Sequence, residues 1–158
     1  MQESTLTKYA IDYLSKFSSS KKNLERILTN RIRKLQLEKN DKFYLYQSIK
    51  KIIIKLEDNN LISDSNYSYS KIKSFILQGK SKMYIYAYLT QKGVDKNIII
   101  DNFEKINLED PEWEENSAKT FARKKNLNQK LNNFQKNLAK MARAGFSYDI
   151  SKKILEDN

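Results

Sequence analysis

The stretch GKSKMYIYAYLTQKGVDKNIII (residues 79–100) decides the fold, because its centre is compatible with two kinds of secondary structure. MYIYAYL alternates aromatic and aliphatic side chains, and both types favour β-strands. Its apolar spacing after Ser81 is that of a helix, with side chains at offsets of four, seven and eight residues: Ile85, Tyr88 and Leu89. The choice between strand and helix therefore depends on whether this spacing recurs in the chain.

The spacing recurs after two other serines. Ser20 is followed at the same offsets by Leu24, Ile27 and Leu28, and Ser147 at offsets of three, seven and eight by Ile150, Ile154 and Leu155. A serine that caps a helix one turn before its apolar face accounts for all three cases, whereas a strand cannot share the spacing. We therefore predict that MYIYAYL is helical, with Tyr84 and Tyr86 nearer the surface.

The few helix-breaking residues lie between the periodic segments. Gly79, Gly93 and Gly145 each end an apolar run, where a helix favours a residue that can adopt the left-handed conformation. Pro111 follows Asp110, which predicts an N-cap and first-turn pair for the next helix. A sheet protein of this size would need more turn residues.

Apolar residues recur at helical spacing in four segments, one of which continues the run after Ser20. These stripes are Tyr9, Ala10, Tyr13, Leu14 and Phe17; Leu24, Ile27, Leu28, Ile32 and Leu35; Leu45, Ile49, Ile52, Ile53 and Leu56; and Leu131, Phe134, Leu138, Met141 and Ala142. We predict an all-α protein of about nine short helices in three tandem three-helix repeats, elongated and curved. The predicted repeats span residues 1–60, 61–107 and 108–158.

Composition argues against most enzymes. The 158-residue chain has no Cys, no His and three Gly. It therefore lacks the best transition-metal ligands, the commonest general base and a glycine-rich phosphate loop. We expect no catalysis, no metal and no cofactor. Neither a membrane-spanning apolar run nor a secretory signal is present, so we expect a soluble, cytoplasmic protein.

The net charge of +11 favours a polyanionic partner or an acidic protein surface. The excess is +6 in residues 1–60, +1 in 61–110 and +4 in 111–158. Abundant Lys, Asn, Ile and Tyr are also typical of an AT-rich genome. The charge alone therefore does not identify the partner.

Four motifs in order resemble the bacterial RecX family, the regulators of the RecA recombinase. KYAIDYLSKFSSSKKNLERIL is similar to the family's opening pattern of Ala-Leu-x-x-Leu, Ser and Leu-x-x-x-Leu. KLEDNNLISDSNYSYSKI is similar to Leu-x-x-x-Gly-Leu-Ile-Asp-Asp-x-x-Phe-Ala. GKSKMYIYAYLTQKGVDKNII resembles Gly-x-x-x-Ile-x-x-Leu-x-x-Lys-Gly-Ile, and LAKMARAGFSYDISKKIL resembles the closing Leu-x-Arg-x-Gly-Phe-Ser motif.

The chain departs from these patterns at several positions. Asn60 stands where Gly is usual, Ser63 replaces the first Asp of the acidic pair, and Tyr67-Ser68 replaces Phe-Ala. Asp64 keeps the second acidic position, and we interpret it as the N-cap of a helix from Ser65 onward.

The resemblance implies a monomeric modulator that binds RecA filaments, suppresses their recombinase and coprotease activities, and so regulates DNA repair. Lys and Arg side chains would meet acidic RecA surface or the DNA phosphate backbone. The candidate contact residues are Lys21, Lys22, Arg26, Lys80, Lys82, Lys92, Arg123, Lys124, Lys125, Lys140 and Arg143.

Other interpretations remain open. Each candidate cation is also compatible with an ordinary solvated face, and Tyr84 and Tyr86 with half-buried surface aromatics. An independent DNA-binding module would use the same cations and stack its tyrosines on bases. A membrane-surface protein is less compatible, because the apolar faces are divided among many short helices. A hidden enzyme comes last.

Overall fold

The computed structural model describes residues 3–127 and 133–157, which form nine α-helices and no strand. The helices are α1 Glu3–Leu14, α2 Lys21–Lys34, α3 Lys39–Asp58, α4 Asp64–Leu77, α5 Lys82–Gln91, α6 Lys96–Glu109, α7 Trp113–Lys124, α8 Phe134–Arg143 and α9 Tyr148–Glu156. The all-α prediction is confirmed. MYIYAYL lies in α5, with Ile85 and Leu89 fully buried, Tyr88 and Tyr86 half-buried and Tyr84 exposed.

Left-handed residues end five of these helices. Gly79, Gly93 and Gly145 have φ values of 80°, 76° and 97°, as predicted for helix C-termini. Asn60 and Asn126 adopt the same conformation, with φ values of 57° and 53°. Asn tolerates positive φ better than most residues do. The replacement of the usual Gly by Asn60 therefore keeps the end of α3 intact.

The chain forms two compact units. Unit 1 contains residues 1–67 together with 92–95, and unit 2 contains residues 68–91 together with 96–158. Each predicted repeat holds three of the described helices, although α6 extends two residues beyond the predicted boundary. The division into three repeats stays a prediction.

The core of unit 1 is formed by α1, α2 and α3. All five apolar residues predicted on α3 are buried, as are Leu24, Leu28 and Ile32 on α2. On α1 the predicted stripe is mostly confirmed, because Ala10 is buried and Tyr9, Tyr13 and Leu14 pack against the core. Leu6 is also buried, whereas Phe17 is 55% exposed. Phe17 lies beyond the last turn of α1, where the chain leaves the helix towards α2.

Unit 2 buries the single tryptophan. The Trp113 ring stacks on Phe103, with centroids 5.6 Å apart and planes inclined by 15°. The helix that follows Asp110 and Pro111 starts at Trp113, later than predicted, because these two residues form a turn in which Trp113 N donates to Asp110 O. A second cluster joins α7, α8 and α9.

The predicted α8 stripe is only partly confirmed. Leu138 and Met141 are buried in the cluster of α7, α8 and α9, and Phe134 packs against it. Ala142 is exposed, because α8 turns it away from the two neighbouring helices. Leu131 lies outside the described residues.

Candidate partner-binding surfaces

Ser20 forms a tertiary contact in unit 1 besides capping α2. Its Oγ accepts a hydrogen bond from Asn23 N at 3.1 Å and donates to Lys92 O at 2.6 Å. The next residue, Gly93, lies so close to Lys22 that an added Cβ would stand 2.5 Å from the Lys22 Cβ. We call these five residues the first joint. A helix cap here also anchors a distant loop of the same unit.

Ser81 makes the same arrangement in unit 2. Its Oγ accepts from Tyr84 N at 3.1 Å and donates to Ala144 O at 2.7 Å. The following Gly145 would bring an added Cβ to 3.2 Å from the Met83 Cβ. These five residues form the second joint. In both joints the residue two places after the serine packs on a left-handed glycine, which leaves no room for a side chain there.

Ser147 caps α9 but forms no such joint. Its Oγ accepts from Ile150 N at 3.3 Å, and its side chain is exposed. Ser20 and Ser81 precede the second helix of their predicted repeats, whereas Ser147 precedes the third helix of its repeat. The shared serine spacing therefore reports helix capping and not an equivalent place in a repeat.

The first joint gathers the predicted cations of unit 1. Lys21 Nζ lies 2.8 Å from a Glu57 carboxylate oxygen, and this hydrogen bond raises the pKa of Lys21, against the lowering effect of its partial burial. Lys22 pairs with Glu25 at 3.1 Å, and Arg26 donates to Asn23. Lys92 belongs to the joint through its carbonyl oxygen.

Asp64 has a different role from the one that the sequence suggested. Ser63 caps α4, because its Oγ accepts from Asn66 N at 3.2 Å. Asp64 is the first residue of α4 and is buried, and its Oδ1 accepts from Lys21 N at 2.8 Å. The N-cap assignment of Asp64 is therefore wrong for α4, and its carboxylate instead satisfies a backbone donor at the start of α2.

Five predicted cations of unit 2 lie in segments that border the second joint. Ser117 Oγ donates to Lys80 O, and Lys124 Nζ donates to Gln78 O at 3.2 Å, so α7 is fastened to the loop before Ser81. Lys80 and Lys82 flank Ser81, and Lys140 and Arg143 occupy the last turn of α8, before Ala144.

Some predicted cations of unit 2 lie over aromatic rings, and others are exposed at a helix end. The ammonium groups of Lys80 and Lys82 lie over the Tyr84 and Phe103 rings, 4.6 and 5.4 Å from the centroids. Arg123 and Lys125 are exposed at the end of α7. Together with Lys124 they form a run of three exposed cations.

Sequence reasoning missed a groove between α2 and α3 of unit 1, which we call the α2–α3 groove. It has a volume of about 690 Å³. Its lining residues are Lys21, Lys22, Glu25, Thr29, Tyr46, Ile49, Lys50, Ile53, Ile54, Glu57, Asp64 and Gly93. Ile54 is 50% exposed and Tyr46 is 37% exposed. The available signal in the sequence was that α3 carries apolar residues outside its buried stripe, Tyr46 and Ile54 among them.

Sequence reasoning also missed part of the basic surface of α2. Beyond the three residues named at its start, the helix carries Arg31, Arg33 and Lys34, all exposed. Arg31 lies over the Tyr9 ring, 5.0 Å from its centroid. Along its 14 residues α2 has six cations and one acid.

Residues 3–127 and 133–157 contain neither a metal-binding cluster nor a membrane-spanning helix. No group of three or more acidic, His or Cys side chains there is placed to hold a metal ion. None of the helices in these two ranges has the length and apolar character required to cross a membrane.

Comparison with known proteins gives a consistent result, although no family model matches the chain. The chain is 29% identical to the regulatory protein RecX of Myxococcus xanthus (strain DK1622), over 94% of this chain and 83% of that protein. It is 28% identical to RecX from Lactobacillus salivarius, whose crystal structure superposes with a TM-score of 0.71 over 98% of this chain and 95% of that one.

A second crystal structure, of a regulatory protein RecX, is 21% identical and also has a TM-score of 0.71, over 99% of this chain and 72% of that one. At that identity the likeness concerns the fold alone. The nearly full-length sequence match and the structure at 28% identity agree: this chain is similar to RecX regulatory proteins along almost its whole length and shares their fold.

Proposed function

We propose that this chain binds the RecA recombinase filament and inhibits its recombinase and coprotease activities, acting as a monomer in the cytoplasm. The observation that carries the proposal is the match of nearly the whole chain to a regulatory protein RecX. That match includes both joints, since it covers 94% of the chain. The inhibition would regulate DNA repair.

The geometry supports binding through fixed cations. In both joints a buried serine holds the start of a helix against a distant loop, and lysine or arginine side chains surround each one. Cations on a rigid frame lose less conformational entropy on binding than cations on a free loop. Acidic protein surface or DNA phosphates inside the filament would pair with them.

Inhibition in this proposal is steric and involves no catalysis. A protein bound along a filament would exclude the second DNA and resist rearrangement of the protomers. Contacts spread over both units would add through effective concentration, so that no single contact needs to be strong.

The deciding experiment is co-sedimentation of the chain with RecA filaments assembled on single-stranded DNA, over a series of salt concentrations. We expect binding to bare DNA to fall steeply with salt and binding to the filament to fall less, because protein contacts supply part of the affinity. No effect on RecA strand exchange at micromolar concentration would contradict the proposed function.

Two variants separate filament binding from DNA binding. Charge reversal of Arg123, Lys124 and Lys125 together removes phosphate partners, so it should weaken bare-DNA binding strongly and strand-exchange inhibition less. Insertion of one residue after Gly93 disrupts the first joint and keeps every cation. It should weaken inhibition more than DNA binding. Equal effects of both changes on both measurements would favour a plain DNA-binding module.

A DNA-binding module is the second candidate, and the basic surface of α2 favours it. Six cations on one helix, three of them in its last turn, would neutralise several phosphates without reading sequence. Under this alternative the protein would bind bare DNA and the filament with the same salt dependence.

A further inference from the structure

We propose that the α2–α3 groove binds a short peptide segment of a partner protein, which inserts an apolar side chain and places a carboxylate beside Lys50. The inference rests on the proposed function in so far as the partner is the RecA filament. It adds a site and the chemistry of its ligand, neither of which follows from the similarity to RecX proteins.

The floor of the groove is apolar and accessible. Ile49 and Ile53 are buried beneath it, while Ile54 and Tyr46 of the same helix remain 50% and 37% exposed. Covering such side chains is favourable by about 25 cal/mol for each Å² of apolar surface removed from water. A volume of about 690 Å³ accommodates more than one large side chain. Bare phosphates gain nothing from this floor, which favours a peptide over a nucleic acid.

The charges at the rim select for a carboxylate. Each acid that lines the groove already has a partner: Glu57 bonds Lys21, Glu25 bonds Lys22, and Asp64 accepts from Lys21 N.

Lys50 also lines the groove and is exposed, and among the described residues it makes no ion pair. The other two lysines of the lining, Lys21 and Lys22, are already paired with Glu57 and Glu25. A carboxylate on the partner would therefore pair with Lys50 without displacing an existing ion pair.

The test compares two groove variants with two matched controls in the full chain. Ile54→Glu places a charge on the apolar floor, and Lys50→Glu reverses the rim charge. Ile100→Glu changes an isoleucine of α6 that is 37% exposed, and Lys55→Glu reverses an exposed lysine on α3 that does not line this groove. Circular dichroism checks that all four variants keep the helical fold.

We expect each groove variant to weaken co-sedimentation with RecA filaments by about ten-fold or more, and each control to change it by less than about two-fold. Normal binding by both groove variants would overturn the groove and leave the proposed function intact. If Ile54→Glu had no effect while Lys50→Glu weakened bare-DNA binding, the groove would be a nucleic-acid surface and the inference would fall.

A second measurement keeps the inference testable if the chain does not bind RecA at all. Random peptides displayed on phage are selected on the immobilised full chain. Enrichment of sequences with a large apolar residue near Asp or Glu, lost in Ile54→Glu and kept in Ile100→Glu, would support the groove independently of RecA. Selection of no such motif would overturn it.

Discussion

Replacing Ser81 by alanine should destabilise the protein about twice as much as the same change at Ser147. Both serines cap a helix, since Ser81 Oγ accepts from Tyr84 N and Ser147 Oγ accepts from Ile150 N. Loss of a serine N-cap typically costs about 1 kcal/mol. Only Ser81 also donates to a distant carbonyl, Ala144 O at 2.7 Å.

The second hydrogen bond sets the difference in magnitude. It is partly buried, and its loss leaves the Ala144 carbonyl without this donor at a cost of about 1 kcal/mol. We therefore expect a free-energy loss of about 2 kcal/mol for Ser81→Ala and about 1 kcal/mol for Ser147→Ala. In a chain of this length each kcal/mol lowers the melting temperature by about 2–4 °C.

Urea unfolding followed by circular dichroism measures both variants, with the slope of the transition checked for two-state behaviour. Ser20→Ala is an internal replicate, because Ser20 donates to Lys92 O at 2.6 Å in the first joint. It should match Ser81→Ala. Equal losses at Ser81 and Ser147 would refute the reasoning that the joint contributes separately from the cap.

Three other predictions concern helix ends, an ion pair and a surface tyrosine. Gly79→Ala should lower the free energy of unfolding by more than about 1 kcal/mol in urea, because φ is +80° and the added Cβ would lie 2.7 Å from Phe121 N. Asn60→Gly, at φ 57°, should be neutral or slightly stabilising. A loss of stability in Asn60→Gly as large as that in Gly79→Ala would contradict this account. The Lys21–Glu57 pair raises the pKa of Lys21, so its contribution is complete below the ordinary lysine value of 10.5 and is lost as the pH rises through the higher folded value. Glu57→Gln should therefore lower stability by less than about 1 kcal/mol near neutral pH and not at all at strongly alkaline pH, whereas the neighbouring Asp58→Asn should show no such trend. Tyr69→Phe removes the hydroxyl that donates to Glu109 at 2.6 Å, and should lower the melting temperature by no more than a few degrees because the contact is exposed. An unchanged melting temperature in Glu109→Gln together with a large loss in Tyr69→Phe would show that the hydroxyl stabilises the protein through a partner other than Glu109.

Local chemistry made the helices predictable from the sequence. Capping serines, left-handed glycines and apolar spacing act within a few residues of one another, so Ser81, Gly93 and the stripe of α3 could be interpreted without any tertiary contact. The spacing after Ser81 correctly overrode the strand preference of MYIYAYL. Similarity to a known family was visible for the same reason, since its motifs consist largely of helix ends.

Tertiary structure decided what those local signals are used for. The sequence showed that Ser20, Ser81 and Ser147 begin helices, but only the fold shows that two of them bond carbonyls more than sixty residues away. Asp64 looked like a cap and instead accepts from the backbone of another helix.

The α2–α3 groove depends on how two helices pack, which no spacing within either helix encodes. Caps and stripes are properties of neighbouring residues, whereas joints and grooves arise when distant segments meet, and the free energy that selects those meetings is shared among many side chains.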